Sequence, residues 1–235
     1  MSGTAAVLAC AGAGLRMGSE ADKLLLRLDG RPVVAWSVLA LDGCELIDSI
    51  TVVASEHNLD ALAAVLNELP TRLPLELIIG GGRRQDSIRL AVDHLAAAGG
   101  PDIAVIHDGA RPLVSAGLLT RVIGAAAEHG AATAGLPLRN ACKEVDETGM
   151  VRRSVERSSM VSVQTPQAFA FATLKRAHEE GLRQGAVVDD DAELVERLGL
   201  PVKVVPGEYR NIKITTADDI PVVTAHVRAM AAEAG

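Results

Sequence analysis

Residues 5–18 read AAVLACAGAGLRMG, and this stretch decides the fold. Its first half, residues 5–10, is a short apolar run that predicts a buried strand. Its second half is a glycine-rich loop that carries Arg16, and Lys23 follows shortly afterwards. Glycines expose backbone N–H groups to an anion, and Arg and Lys can neutralise a polyphosphate. Because ligands of open α/β sheets bind at the carboxyl ends of strands, we expect an anion-binding loop here.

The same alternation of strand and helix continues through the first half of the chain. Apolar runs that predict strands occupy residues 49–54, 75–79 and 103–106, and helical stretches occupy about 32–41, 58–69, 86–98 and 116–129. The strands are continuously apolar, as expected when helices cover both faces of a parallel sheet. The sequence therefore predicts an α/β fold built from βαβ units.

The pattern changes after Gly135. Residues 142–155, with the turn Glu147-Thr148-Gly149, predict a polar β-hairpin that resembles an arm more than a core element. Beyond it we predict helices at about 171–183 and 191–198, strands at 202–205 and 211–214, and a last helix after Thr216. Thr216 and Asp219 have the spacing of a capping box, which favours a structural role for Asp219. No linker is evident, so we expect one domain over residues 1–235 with an arm at about 138–158.

Composition excludes several classes of protein. The net charge is −7 and the chain has only one Trp, one Tyr and two Phe, so the basic face and stacking platforms of nucleic-acid binders are missing. No apolar run approaches the roughly 20 residues of a membrane-spanning helix. The first residues lack a secretory pattern, so we expect a soluble cytoplasmic protein. Three widely spaced cysteines indicate neither a disulfide framework nor a metal site.

The spacing of the glycines does not match either of two well-known nucleotide-binding motifs. The glycines at 12, 14 and 18 miss the GxGxxG fingerprint by one residue, and no Gly-Lys-Ser/Thr follows as in a P-loop. A dehydrogenase and a P-loop NTPase are therefore disfavoured.

Two further motifs follow predicted strands. The run GGGRRQDS at 80–87 places glycines and arginines at a helix start, where arginines oppose the helix dipole. Residues that act against local helix stability in this way are often functional. Ser87 also has a hydroxyl that can form a hydrogen bond with the edge of a pyrimidine. In HDGARP at 107–112, Asp108 and Arg111 lie at a strand end. A flexible turn and a buried ion pair are the respective structural alternatives.

The remaining polar motifs are individually weak: Glu156-Arg157, QTPQ at 164–167, three aspartates at 189–191, and NIKIT at 211–215. The aspartates favour a helix cap over a metal site. Lys213 differs, because a cation in an apolar run is costly unless an anion meets it.

Taken in order, these segments resemble the 2-C-methyl-D-erythritol 4-phosphate cytidylyltransferases of the non-mevalonate isoprenoid pathway. The resemblance runs from the first strand to Lys213. It implies a three-layer, Rossmann-like nucleotidyltransferase sheet, CTP bound with Mg²⁺, a small alditol phosphate as acceptor, and a homodimer formed through a protruding β-arm that helps complete the active site.

The resemblance also implies roles for residues. Arg16 and Lys23 match residues that stabilise the transition state, and Arg157 and Lys213 match residues that position the acceptor phosphate. The residues that match nucleotide-contacting positions, or that fall in the family's HDxARP motif, are Ala11, Gly12, Gly14, Gly82, Ser87, Asp108 and Arg111. No protein ligand to the metal is implied, since Mg²⁺ is held mainly by the phosphates of CTP.

Two departures from the family pattern leave alternatives open. Asp22-Lys23-Leu24 replaces a common Pro-Lys-Gln, and Asn140-Ala141 stands where the family usually has Asp-Thr. The second change removes a hydroxyl that would touch the acceptor, so another alditol phosphate such as ribitol 5-phosphate stays possible. From a different class, a nucleotide-binding protein without catalysis is the other alternative, and Arg16 and Lys23 argue against it.

Overall fold

A computed structural model describes residues 3–12 and 22–234. Along the chain its elements are β1 (Thr4–Ala9), β2 (Arg27–Leu28), β3 (Arg31–Pro32), α1 (Val33–Asp42), β4 (Ser49–Ala54), α2 (Leu59–Asn67), β5 (Leu75–Ile79), α3 (Arg84–Ala97), β6 (Ile103–Asp108), α4 (Ala116–His129), β7 (Ala131–Pro137), β8 (Cys142–Val145), β9 (Val151–Val155), β10 (Val161–Ala170), α5 (Phe171–Gln184), α6 (Asp191–Arg197), β11 (Lys203–Pro206) and α7 (Asp219–Ala234).

Seven strands form the central sheet, in the order β11-β7-β10-β6-β1-β4-β5. Strand β1 pairs in parallel with β4 on one side and β6 on the other, and β5 extends the sheet beyond β4. This half confirms the βαβ prediction. Strand β10 is antiparallel to both of its neighbours, so the sheet is mixed.

Helices cover both faces of the sheet. Side chains of β1 alternate between two apolar clusters: Ala6 and Leu8 belong to the cluster that includes residues of α1, α2, α4 and α7, whereas Ala5 and Val7 belong to the one that includes residues of α3, α5 and α6. This alternation follows from the two-residue period of a strand. The three-layer α/β architecture is therefore confirmed. Within the described residues, no helix is both long and apolar enough to span a lipid bilayer.

Two core strands were not predicted from the sequence. Strand β7 reads AATAGLP, in which Thr133 is the one β-branched residue and no residue is aromatic, so the usual signal of a strand is weak. Strand β10 contains Pro166, which argues against a central strand because proline has no N–H for the ladder. The structure accommodates it with a shift of the β10–β7 register between Gln164 and Gln167.

The predicted strand at 211–214 is wrong. This segment is irregular, and side chains hold it instead of a ladder. The amide Nδ2 of Asn211 donates to the Thr165 carbonyl at 2.7 Å, and Nε2 of Gln164 donates to the Asn211 carbonyl at 3.2 Å. Asn211 is fully buried, so these bonds substitute for the strand pairing that its apolar neighbours suggest.

The hairpin prediction is confirmed, since β8 and β9 form a separate antiparallel pair. Its turn is held by Asp146, whose carboxylate accepts from the backbone N–H groups of Thr148 at 2.9 Å and Met150 at 3.0 Å. The structural role of Asp219 is also confirmed, because its carboxylate accepts from the backbone N–H groups of Thr215 and Thr216 before α7.

His107 is buried in β6 and bonded through both ring nitrogens. Nε2 lies 3.0 Å from the Arg111 carbonyl, which can only accept, so Nε2 carries the proton. Nδ1 then accepts from the Thr165 hydroxyl, which itself accepts from the Asp108 N–H. Burial lowers the pKa of His107 from 6.5 to about 4. The ring is therefore neutral at physiological pH.

This pKa predicts a pH-dependent stability. The unfolded chain takes up a proton near pH 6.5 and the folded chain only near 4, so the contribution of His107 is present above pH 6.5 and is lost as pH falls toward 4. Between pH 7 and pH 5 the free energy of unfolding should drop by about 2 kcal/mol on this account. Urea titrations of the wild type and His107→Gln check it: the variant should lose this part of the pH slope, and an unchanged slope contradicts the assignment.

Candidate active site

The glycine-rich loop leaves the sheet at the carboxyl end of β1. The Cys10 N–H still donates to the Val53 carbonyl at 2.9 Å, so the chain is anchored to β4 up to that residue. Ala11 is half-buried and Gly12 is exposed. Two predicted site residues, Gly14 and Arg16, lie outside the described residues. Ala11 and Gly12 thus open the site at the centre of the parallel half of the sheet.

Asp108, at the end of β6, gathers three cations around one carboxylate. Nζ of Lys213 lies 2.8 Å from Oδ2, Nε of Arg111 lies 3.4 Å from the same oxygen, and Nε of Arg84 lies 3.5 Å from Oδ1. Asp108 is buried, whereas Lys213 remains partly exposed. The anion that was expected to pair with Lys213 is therefore the carboxylate of Asp108.

The three cations keep Asp108 ionised despite its burial. Burial alone would raise the pKa of Asp108, but Lys213, Arg84 and Arg111 outweigh it and hold the pKa well below its usual range. Arg84 also binds the buried carboxylate of Asp191, so three cations face two carboxylates and the cluster has a net charge of about +1. The cluster therefore favours an anionic ligand, although the whole chain is acidic.

The segment 211–214 connects this cluster to Lys23. Nη1 of Arg111 donates to the Asn211 carbonyl at 2.9 Å, and Nζ of Lys23 donates to the Ile214 carbonyl at 3.1 Å. Ile214 also donates its N–H to the Ala110 carbonyl at 2.9 Å. The fold thus brings Lys23 beside the residue that follows Lys213.

The run at 80–87 forms a glycine turn before α3. Ser87 is buried, and its hydroxyl contacts the Gly81 N–H at 3.1 Å and the Arg83 carbonyl at 3.0 Å. A Cβ at Gly80 would lie 2.6 Å from that hydroxyl, so only glycine fits the turn. By contrast, no described atom lies within 4 Å of a Cβ placed on Gly82. Ser87 shapes the turn from behind, and Gly82 faces open space.

Arg157 lies elsewhere, at the base of the arm. Its guanidinium donates to the Arg139 carbonyl, and the Arg139 guanidinium stacks 3.5 Å from the centre of the Tyr209 ring. Asn140 and Ala141 are exposed at the same place. Within this chain, therefore, Arg157 belongs to the arm. The other four residues, Lys23, Lys213, Asp108 and Arg111, lie together at the carboxyl ends of the central strands.

Comparisons with known proteins identify the family. The family model described as 2-C-methyl-D-erythritol 4-phosphate cytidylyltransferase matches residues 4–229. The protein of that name from Pelotomaculum thermopropionicum is 42% identical over 231 residues, which cover 97% of this chain and 96% of that protein. The chain belongs to this family.

Solved structures give the same relationship. The 4-diphosphocytidyl-2C-methyl-D-erythritol synthase of Anaerococcus prevotii superimposes with a TM-score of 0.84 at 28% identity, covering 97% of this chain and 96% of that one. The 2-C-methyl-D-erythritol 4-phosphate cytidylyltransferase of Thermus thermophilus superimposes with a TM-score of 0.76 at 32% identity, covering 94% and 98%.

The acid beside Lys23, Asp22, has a structural role. The Asp22 carboxylate accepts from the Leu24 N–H at 2.9 Å and from the Asn58 side chain at 2.6 Å. Both of its oxygens are therefore bonded within the protein. Asp22 stands where the family commonly has proline, and its side-chain hydrogen bonds close the turn that leads to Lys23.

The sequence did not identify the ion network behind the site of this cytidylyltransferase. Arg84 bridges Asp108 to Asp191, with Nη1 2.8 Å from Oδ2 of Asp191, and Nε2 of His178 lies 3.1 Å from Oδ1 of Asp191. The one available signal was the arginine pair at a helix start. Among the aspartates at 189–191, Asp190 caps α6 by accepting from the Glu193 N–H, as predicted.

Removing Arg84 should destabilise the fold strongly. Arg84→Met leaves the buried carboxylates of Asp191 and Asp108 with one cation fewer, which should cost about 3 kcal/mol of unfolding free energy. Urea denaturation measures it. Arg83→Met is the matched control, because Arg83 is exposed and its partner Asp86 stays solvated, so little change is expected. Equal effects of the two substitutions contradict the network.

Proposed function

We propose that this chain transfers a cytidylyl group from CTP to 2-C-methyl-D-erythritol 4-phosphate, giving 4-diphosphocytidyl-2-C-methyl-D-erythritol and pyrophosphate. Membership of the family supports the reaction. The observation in the fold that carries it is the cationic cluster around Asp108, which lies beside Lys23 at the sheet edge. A site with this charge suits a reaction between two phosphate-bearing substrates.

The nucleotide is proposed to bind across the two glycine turns. In this proposal the backbone N–H groups of Ala11 and Gly12 bind the triphosphate, Gly14 contributes as the family pattern implies, and the open side of Gly82 admits the cytosine. Ser87 acts by holding the Gly81 backbone in place, because its hydroxyl is already bonded there. The backbone of this turn is proposed to read the edge of a pyrimidine, which gives the expected preference for CTP.

The reaction needs positioning and charge neutralisation more than a covalent nucleophile. An oxygen of the acceptor phosphate forms a bond to the α-phosphorus of CTP, the bond from that phosphorus to the bridging oxygen breaks, and pyrophosphate leaves with the electron pair. Lys23 and Arg16 stabilise the negative charge that builds on the α-phosphate in the transition state. Lys213, held by Asp108 at 2.8 Å and assisted by Arg111, receives the acceptor phosphate.

Mg²⁺ fits this site as a companion of CTP. The described residues contain no group of three acidic, His or Cys side chains able to hold a metal, and the Asp108 carboxylate is engaged by three cations. Phosphate oxygens are the natural ligands that remain, with Ala11, Gly12 and Lys23 holding the complex. When bound, Mg²⁺ would neutralise charge on the leaving pyrophosphate.

The arm is proposed to form a homodimer and to share the active site. It carries exposed apolar side chains, Val145 at 52%, Met150 at 69% and Val151 at 59% exposure, and the adjoining start of β10 exposes Val161 and Val163. A two-stranded hairpin is marginal alone and gains stability from a partner surface. Arg157 lies at the base of this arm, so it serves the acceptor phosphate in the site of the second subunit.

The reaction itself is tested by an acceptor screen with the purified protein, CTP and Mg²⁺. Pyrophosphate release and a product of the mass of the cytidylyl diphosphate are expected with 2-C-methyl-D-erythritol 4-phosphate. CTP should be preferred over UTP, ATP and GTP. Faster release with ribitol 5-phosphate would reassign the acceptor, and binding of CTP with no release by any acceptor would contradict catalysis.

Lys23→Ala should lower kcat by roughly 10² to 10³ with little change in CTP affinity, since one preorganised charge acting on the transition state is lost. Arg16→Ala should act in the same direction. Steady-state kinetics with a separate measurement of CTP binding distinguishes kcat from affinity. Lys175→Ala, which removes an exposed lysine on α5, is the control with normal turnover. A normal kcat in Lys23→Ala would overturn this role.

Sharing of the site predicts recovery of activity in mixed dimers. If Arg157 serves the opposite subunit, mixing Arg157→Ala with Lys23→Ala subunits creates heterodimers with one intact site, and roughly one quarter of wild-type activity returns. No recovery would mean that Arg157 acts within its own subunit. Sedimentation should show a dimer for the wild type, a monomer for Val151→Asp, and an unchanged dimer for the control Val187→Asp, an exposed valine outside the arm.

A further inference from the structure

Asn58, just before α2, is a buried amide whose bonds lead away from its own helix. It is 3% exposed, yet its side chain makes no cap bond to α2. Oδ1 accepts from the Ser55 N–H at 2.8 Å and from the Ser55 hydroxyl at 3.0 Å, while Nδ2 donates to the Cys10 carbonyl at 3.0 Å and to Oδ2 of Asp22 at 2.6 Å. All four bonding positions of the amide are thus used.

The partners leave one orientation for this amide. The Ser55 N–H can only donate, so it requires the oxygen, whereas the Cys10 carbonyl and the Asp22 carboxylate can only accept, so they require the NH₂ group. An aspartate at position 58 would have the same shape and would present oxygen to both acceptors. The function of the two donors can therefore be removed without changing the volume of the side chain.

These two donors join the two ends of the glycine-rich loop. Cys10 directly follows β1, and Asp22 precedes Lys23. From Asp22 a tight turn follows, closed by the Leu24 N–H on the Asp22 side chain at 2.9 Å and by the Leu25 N–H on the Asp22 carbonyl at 3.0 Å. The backbone position from which Lys23 extends is therefore set relative to β1 through Asn58.

We propose that Asn58 and Asp22 are positioning residues for the transfer reaction, which place Lys23 against the α-phosphate by bonding the end of β1 to the Asp22 turn. The role rests on the proposed function. Neither side chain needs to touch substrate. Their effect passes through Lys23, whose Nζ is directed to the Ile214 carbonyl at 3.1 Å, beside Lys213.

The first experiment is an exchange of the two donor and acceptor groups. Asn58→Asp should lower kcat by roughly 10- to 100-fold with smaller effects on the KM values, since a small displacement of a catalytic group costs this much. Asp22→Asn should also lower kcat. The double variant Asn58→Asp/Asp22→Asn restores one donor between the two residues and should recover kcat to within roughly 10-fold of the wild type. Asn67→Asp, the same change at the exposed end of α2, is the control.

A second background separates positioning from a general loss of structure. In a Lys23→Ala protein, Asn58→Asp should lower kcat by less than about 2-fold, because the group that it positions is already gone. A purely structural role would instead lower kcat by the same factor in both backgrounds. Full activity of Asn58→Asp, or multiplied effects with Lys23→Ala, overturns the proposal.

Amide hydrogen exchange tests the same claim without turnover. In Asn58→Asp the peptide that covers residues 22–26 should exchange at least about 10-fold faster, and the double variant should reverse part of the change. If the wild type releases no pyrophosphate with the acceptor, the proposed function is wrong. The exchange result would still show whether Asn58 holds the turn at residues 22–26. Unchanged exchange at 22–26 contradicts the placement, whatever the activity.

Discussion

The site depends on one buried carboxylate, that of Asp108. It lies at the end of β6 and binds two residues from distant parts of the chain, Arg84 at the start of α3 and Lys213 near the end, together with Arg111 in the turn after β6. A buried charge is tolerated only when such partners are present. Losing the carboxylate would release Lys213 and leave the two arginines without their common partner.

This pairing explains how an acidic protein can receive anions. The chain carries a net charge of −7, but three cations against the two carboxylates of Asp108 and Asp191 make the carboxyl end of β6 locally positive. Lys213 keeps enough exposure to meet a ligand while Asp108 limits its freedom. Nζ of Lys23 donates to the adjacent Ile214 carbonyl. The protein itself therefore holds both Lys23 and Lys213, from opposite ends of the chain, in place without substrate.

The sequence predicted the parallel half of the sheet, the arm and the motifs at strand ends, because apolar runs and glycines report local structure. It did not predict β7, which is rich in Ala and Gly, or β10, which contains Pro166. It also assigned 211–214 to a strand, since spacing cannot show that Asn211 is bonded by side chains. Contacts between distant residues, such as Asn58 with Cys10, have no signal in one sequence.

A double-mutant cycle on Asp108 and Lys213, measured as kcat/KM for 2-C-methyl-D-erythritol 4-phosphate, tests most directly whether the buried carboxylate holds Lys213 for catalysis. Asp108→Asn should lower this value by roughly 10- to 100-fold and Lys213→Met by more, whereas the double variant should be no worse than Lys213→Met by more than about 2-fold. Coupled effects of this kind mean that the carboxylate works through the lysine. Normal activity of Asp108→Asn, or effects that multiply, would contradict the account.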